Sequence, residues 1–253
     1  MDSKDIFKPY DKIKDDLKFI TASDIKIKIL ISLKEGPKKL SDLKKDVHFN
    51  SSTILHNMRQ LENKNIISKE FQYYSLSQTG EIITHNLINF LKSIHIIKNQ
   101  KEFWLEHNID SIPQDSINRI ECLRNVNVCT LESVHLTLKK LLLNSNNINC
   151  IFSYPIYENK LYNILFKEKD NSSVLLSGEY SDISLKALEN KNFYSLNNKY
   201  LGLNLIVLDN LMFLNIPYIN GIPDHDQCLI SKGKEEIKWG NKLLNYYFSQ
   251  LQL

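Results

Sequence analysis

Positions 51 to 63 read Ser51-Ser52-Thr53-Ile54-Leu55-His56-Asn57-Met58-Arg59-Gln60-Leu61-Glu62-Asn63, setting hydroxyls, an imidazole, a guanidinium and carboxamides among apolar residues. At about 100° per residue, Ile54, Leu55, Met58 and Leu61 share one stripe, and Ser52, Thr53, His56, Arg59, Gln60 and Asn63 fall opposite. Such a face offers donors and acceptors to base edges in a groove. Lys38, Lys39, Lys44, Lys45, Lys64 and Lys69 are placed around it as phosphate partners, with Ser51 and Tyr73 at its margins. The chemistry to expect is recognition of DNA, not turnover of a substrate.

Positioning that face requires a set of short elements. Ser23 is a good N-cap, Asp24 suits the positive end of a helix dipole, and Gly36-Pro37 is a stop, so 24 to 34 reads as a helix. Its Ile25, Ile29, Leu30 and Leu33 share one side while Ile27 and Ile31 form another. Two apolar sides call for two covers, one from the helices that follow and one from the preceding segment 11 to 21. Ser41 is expected to cap a second short helix carrying Leu43 and Val47, and His48-Phe49-Asn50 to break it before Asn50 or Ser51 caps the third. Ile66-Ile67 and the aromatic run to Leu76 then read as a ribbon with its tip at Glu70-Phe71-Gln72. This order predicts a winged helix-turn-helix, an α+β N-terminal domain over 1–79. Winged domains also dock proteins, so a protein-interaction module without specific DNA binding is the alternative.

The charge distribution agrees with the first reading. Residues 1 to 80 hold 15 Lys+Arg against 11 Asp+Glu, and the remainder 17 against 18, so the net +3 comes from the proposed DNA-facing end. With 253 residues and 42% hydrophobic content there is material for two cores. The opening Met-Asp-Ser-Lys-Asp-Ile lacks an apolar signal core, and no run approaches the roughly 18 apolar residues of a membrane span, so a cytoplasmic protein is expected. Cys122, Cys129, Cys150 and Cys228 form no CxxC pair and read as buried thiols; Cys122 and Cys129 are the pair close enough in sequence for redox sensing.

From Thr79-Gly80 the residues Ile82, Ile83, Leu87, Phe90, Leu91, Ile94 and Ile97 recur at helical spacing to about residue 100. This predicts a helical connector over 80–129. It either packs on its own winged domain or supplies the homodimer interface that a reader of two-fold DNA needs.

Several runs carry a family resemblance: 29–37, 51–58 and 74–80, then Phe103-Trp104-Leu105-Glu106-His107-Asn108-Ile109, Ile112-Pro113, Leu229-Ile230-Ser231 and Trp239-Gly240. The chain resembles archaeal winged-helix transcriptional regulators, in the subgroup related to a methanogenesis regulatory protein. The resemblance implies a regulator with an N-terminal DNA-binding domain and a C-terminal sensor. The chain departs from the pattern at Ile156-Tyr157-Glu158-Asn159 and around 171–173.

Residues 130–253 alternate helical and extended patterns, an α/β sensor domain. Helices are expected over 131–143, 157–166, 183–188 and 234–251. Strands are expected over 150–153, 174–176 and 193–196, with a hairpin turning at Asp209-Asn210. The order is similar to a degenerate phospholipase D-like fold. The catalytic form of that fold needs a His-x-Lys pair, and the sequence has none, so no enzyme and no cofactor is expected. An unknown small-molecule effector would sit at strand ends, with Ser153, Tyr154, Tyr157, Glu179 and Tyr218 as candidates. Asp224-His225-Asp226 is the one metal-like cluster, but three adjacent residues rarely converge on one ion, so no metal is expected.

Overall fold

The computed structural model describes residues 7–154, 173–177, 193–196 and 200–252. The expected helices over 157–166 and 183–188 lie outside them. The chain divides into two compact units, Met1–Leu91 and Lys92–Leu253.

The first unit packs helices α1 (Lys8–Thr21), α2 (Asp24–Leu33), α3 (Leu40–Val47) and α4 (Ser51–Asn63) with a three-stranded antiparallel sheet. The strands are β1 (Lys38–Lys39), β2 (Ile67–Glu70) and β3 (Tyr73–Leu76), in the order β1-β3-β2. The start of α2 is as expected: Ser23 Oγ accepts from the Lys26 amide. His48 ends α3 in the left-handed region at φ 58°, and Asn50 Oδ1 accepts the Thr53 amide at 2.8 Å to open α4. The turn between α3 and α4 is therefore made by two polar residues within three positions.

Two local expectations are corrected. Helix α3 begins before Ser41: Lys39 stands at its N-cap, and the Asp42 carboxylate takes the Lys39 amide at 3.2 Å, a stronger, charged acceptor than a serine hydroxyl. The second apolar side of α2 is not fully covered either, since Ile31 stays 39% exposed. From α1, Ile20 and Phe19 reach the core, but Tyr10, Ile13 and Leu17 stand exposed. Lys26 is buried instead, with Nζ donating to Phe19 O at 3.1 Å and lying 3.5 Å from the centre of the Phe19 ring.

Ile29, Leu30, Leu33, Leu43, Val47, Ile54, Met58 and Leu61 close the core. Helix α5 (Gln78–Asn99) follows β3, and its Ile83 and Leu87 pack on that core. Gly80 permits the contact: a Cβ there would lie 1.9 Å from Ile66 O.

Among the described residues, the second unit is a seven-stranded mixed sheet with helices on both faces. Its strands are β4 (Asn127–Thr130), β5 (Ile148–Phe152), β6 (Ser173–Ser177), β7 (Phe193–Leu196), β8 (Asn204–Leu208), β9 (Leu211–Asn215) and β10 (Gln227–Ser231). The order is β4-β10-β9-β8-β5-β6-β7; β5, β6 and β7 run parallel, and the other neighbours antiparallel. Helix α8 (Leu131–Asn144) sets Leu138 and Leu142 against Phe152, Ile206, Leu208 and Phe213. Helix α9 (Lys234–Ser249) sets Trp239, Leu243 and Leu244 against Leu205, Val207, Met212 and Leu214. Alternate residues of β8 thus enter different cores, which is why the strand is apolar from Leu205 to Leu208. The turn at Asp209-Asn210 is as expected, its carboxylate taking the Asn146 amide at 3.0 Å.

The segment expected as a helical connector, 80–129, has its long helix to about residue 100 as expected but ends in a strand. After α6 (Lys101–Glu106) and α7 (Gln114–Ile117), residues from Asn127 pair with β10 at the sheet edge. Cys129 thereby stands opposite Cys228, not beside Cys122, which packs in the core on the other face. Among the described residues no helix is long and apolar enough to cross a membrane.

Candidate nucleic-acid interface

Helix α4 is anchored through Ile54, Met58 and Leu61, each at most 1% exposed. Asn57 is buried beside them; it donates to Thr53 O at 2.9 Å and accepts from Ser23 Oγ at 3.3 Å, tying α4 to the start of α2. The opposite face is free of the core: Ser52, His56, Arg59 and Asn63 are exposed, and Ser51, Thr53 and Gln60 half-buried. His56 Nε2 and Gln60 Nε2 lie 2.9 Å apart, one turn removed, so they form one polar unit. Ser52 Oγ and Thr53 Oγ1 each donate to Asn50 Oδ1 at 2.7 Å.

The lysines divide into kinds. Lys38 is 17% exposed and clamped between Glu35 at 2.6 Å and Asp46 at 2.7 Å, which push its pKa up; its charge is already balanced within the unit. Lys64 pairs with Asp16 at 2.8 Å, but both side chains are more than half exposed, so the pair is weak and exchangeable. Lys39 Nζ lies 5.1 Å from the centre of the Tyr73 ring, and Lys69 Nζ 5.3 Å from that of Tyr74. Lys44 and Lys45 stand exposed in the last turn of α3. At the ribbon tip Phe71 is 97% exposed with φ 53°, a left-handed conformation that a bulky residue adopts at a cost.

The effector candidates meet different fates. Tyr157 and Glu179 lie outside the described residues. Ser153 is consumed by structure: its amide donates to Asn204 Oδ1 at 2.8 Å, and its hydroxyl donates to Leu203 O at 2.7 Å and receives Ser177 Oγ at 2.9 Å. Tyr218 Oη donates to Asp224 at 3.1 Å, and burial, then the Asp224 charge, push its pKa up to about 12. Tyr154 Oη is buried with no hydrogen-bond partner among the described residues, and burial drives its pKa upward.

A pair that sequence reading missed organises this region. Asp224 Oδ2 faces His107 Nε2 at 2.7 Å, while its Oδ1 takes Tyr218 and the amides of Asp226 and Gln227. The carboxylate singled out as metal-like is therefore filled by protein donors. Only Asp224-His225-Asp226 hinted at it; nothing in the sequence pointed to His107 as its partner.

Comparison with known proteins adds to this geometry. Residues 14–95 match the family model described as the methanogenesis regulatory protein FilR1, N-terminal domain. The chain is 26% identical over 268 residues to the methanogenesis regulatory protein FilR1 of Methanothrix harundinacea (strain 6Ac), covering 98% of this chain. It spans 58% of that relative's length. Among solved structures, the archaeal chromatin protein TrmBL2 aligns over 90% of this chain and 92% of its own at 8% identity and a TM-score of 0.38. The dimethyltransferase RosA from Streptomyces davawensis aligns over 79% of this chain and 67% of its own, at 8% identity and 0.26. Such scores carry no argument about function. The resemblance to methanogenesis regulatory proteins read from the sequence holds: residues 14–95 are similar to the N-terminal domain of FilR1, and the similarity to that regulatory protein extends over nearly the whole chain.

Proposed function

We propose that the chain is a DNA-binding transcriptional regulator, cytoplasmic and homodimeric, in which 1–79 reads double-stranded DNA, 80–129 connects, and 130–253 senses a ligand or partner. The observation that carries this reading is the outward face of α4. His56, Arg59 and Asn63 stand exposed on a helix whose other side is locked into the core, beside an aromatic ribbon bearing Lys69. The regulatory name of the FilR1 relative supports it.

For the dimer, support comes from apolar side chains left uncovered in one chain: Tyr10, Ile13 and Leu17 on α1, and Phe90 and Ile94 on α5. The sheet of the second unit serves as a non-catalytic scaffold, phospholipase D-like in its strand order at most, because no His-x-Lys pair occurs in the chain.

The test is a titration of a fluorescent fragment of the gene's own upstream DNA at two salt concentrations, against scrambled competitor. Phosphate contacts make affinity fall steeply with salt, so salt-sensitive binding that survives the competitor supports the reading. Absence of binding at low salt contradicts it and favours a protein-docking winged module.

A further inference from the structure

The second unit contains a hollow of about 270 Å³ lined by Ile97, Trp104, Ile109, Ile112, Ile117, Ile120, Leu123 and Trp239. Its floor is buried: Leu123 is 0%, Trp239 3% and Ile112 4% exposed. Its mouth is marked by Ile97 and Ile109, at 46% and 41%. Every lining side chain is apolar or an indole. A void of that character excludes water and leaves its walls without packing partners.

The two indoles differ in one respect. Trp239 Nε1 donates to Ser116 O at 2.9 Å, whereas Trp104 Nε1 is buried with no hydrogen-bond partner among the described residues. A buried donor left unmade costs as much as a hydrogen bond contributes, and an apolar hollow offers no water to satisfy it. An occupant carrying an acceptor would supply the missing partner.

We propose that this hollow is the effector site, taking a compact, uncharged, mainly apolar molecule that carries one hydrogen-bond acceptor for Trp104 Nε1. The proposal rests on the reading of the second unit as a sensor. The size sets the class: an apolar cavity of about 150 Å³ holds a benzene ring, so the larger hollow holds a ring or branched aliphatic group with a short substituent. A charged group finds no counter-ion on the lining, and a helix from a partner is too wide to enter.

Trp104 and Trp239 are the only tryptophans of the chain, so both indole N–H resonances report on this site. The full-length ¹⁵N-labelled protein, without DNA, is titrated with cyclohexanone, which has a ring and a carbonyl acceptor, and with methylenecyclohexane, which keeps the shape without the carbonyl. The expected result is a saturable downfield shift of the Trp104 Nε1 proton with cyclohexanone in the millimolar range, with the hydrocarbon binding about tenfold more weakly. Trp104→Phe should erase the preference for the ketone. Ile109→Trp, at the half-exposed mouth, should block both probes without touching the floor. No saturable shift, or an unchanged response in Ile109→Trp, overturns the proposal. A Trp104 resonance that moves on dilution without probe also overturns it, because a second copy would then be the occupant. None of these readouts involves DNA, so failure here leaves the operator-binding test standing, and failure there leaves this one standing.

Discussion

His107 and Asp224, 117 positions apart, meet at 2.7 Å with both side chains fully excluded from solvent. His107 Nδ1 also lies 2.7 Å from Phe103 O, so the imidazole bridges a backbone carbonyl and the Asp224 carboxylate. The ring is sandwiched between Phe103, 4.0 Å away by centroids, and Tyr218, 5.0 Å away. The pair therefore fastens α6 to the loop before β10.

Removing one member leaves the other buried and unpaired. Asp224→Ala is expected to lower stability by about 3–5 kcal/mol. Urea unfolding followed by tryptophan fluorescence checks this, since both tryptophans lie in the second unit. A loss below about 1 kcal/mol would show that the contact is incidental.

Lys38 gives a pH signature in the first unit. Its hydrogen bond to Asp46, with that of Ser32 at 2.5 Å, holds the Asp46 carboxyl below the ordinary carboxylate value. A depressed carboxylate pKa stabilises the fold above the unfolded value of about 3.9, and that contribution is lost as pH falls through the folded value. Lys38→Met should therefore melt earlier than wild type at neutral pH, with the gap closing below about pH 4. Melting by far-UV circular dichroism across pH reads it; a gap that persists into acid would place the effect elsewhere.

Gly80→Ala adds a Cβ against the Ile66 backbone oxygen, which cannot rotate away. The junction between the ribbon and α5 must shift, at about 1–3 kcal/mol. Gly240→Ala is a milder control, because its neighbours at 2.9 Å are side-chain atoms of Met212 and Val207. Equal melting temperatures for Gly80→Ala and wild type would contradict the close approach.

Thiol labelling should separate the four cysteines. Cys150 and Cys228 are 0% exposed, and burial raises their thiol pKa, so neither should react with an aromatic disulfide reagent before unfolding. Cys122 and Cys129, half-buried, should react first. Four thiols of one rate in the native protein would refute this burial pattern.

The parts of the fold legible in the sequence were those fixed by neighbours in the chain. Ser23 and Asn50 cap what they were expected to cap, and Asp209-Asn210 turns the β8–β9 hairpin, because each contact spans three residues or fewer. What escaped depends on distant partners. Strand β1 is two lysines long and exists only because β3 lies beside it, and β4 is visible only once β10 is in place. Lys38 reads as a phosphate contact until Asp46 is seen to hold it. His107 gives no local sign of Asp224, and the hollow gathers residues from Ile97 to Trp239.

The central claim concerns the outer face of α4, and the most direct measurement is the affinity of Arg59→Ala and His56→Ala for the upstream DNA beside wild type, at fixed salt, with circular dichroism as the fold control. Both side chains are exposed, so the fold should be unchanged while specific binding weakens by about 1–3 kcal/mol for each lost base contact. Wild-type affinity in both variants would contradict the account and remove this face from DNA recognition.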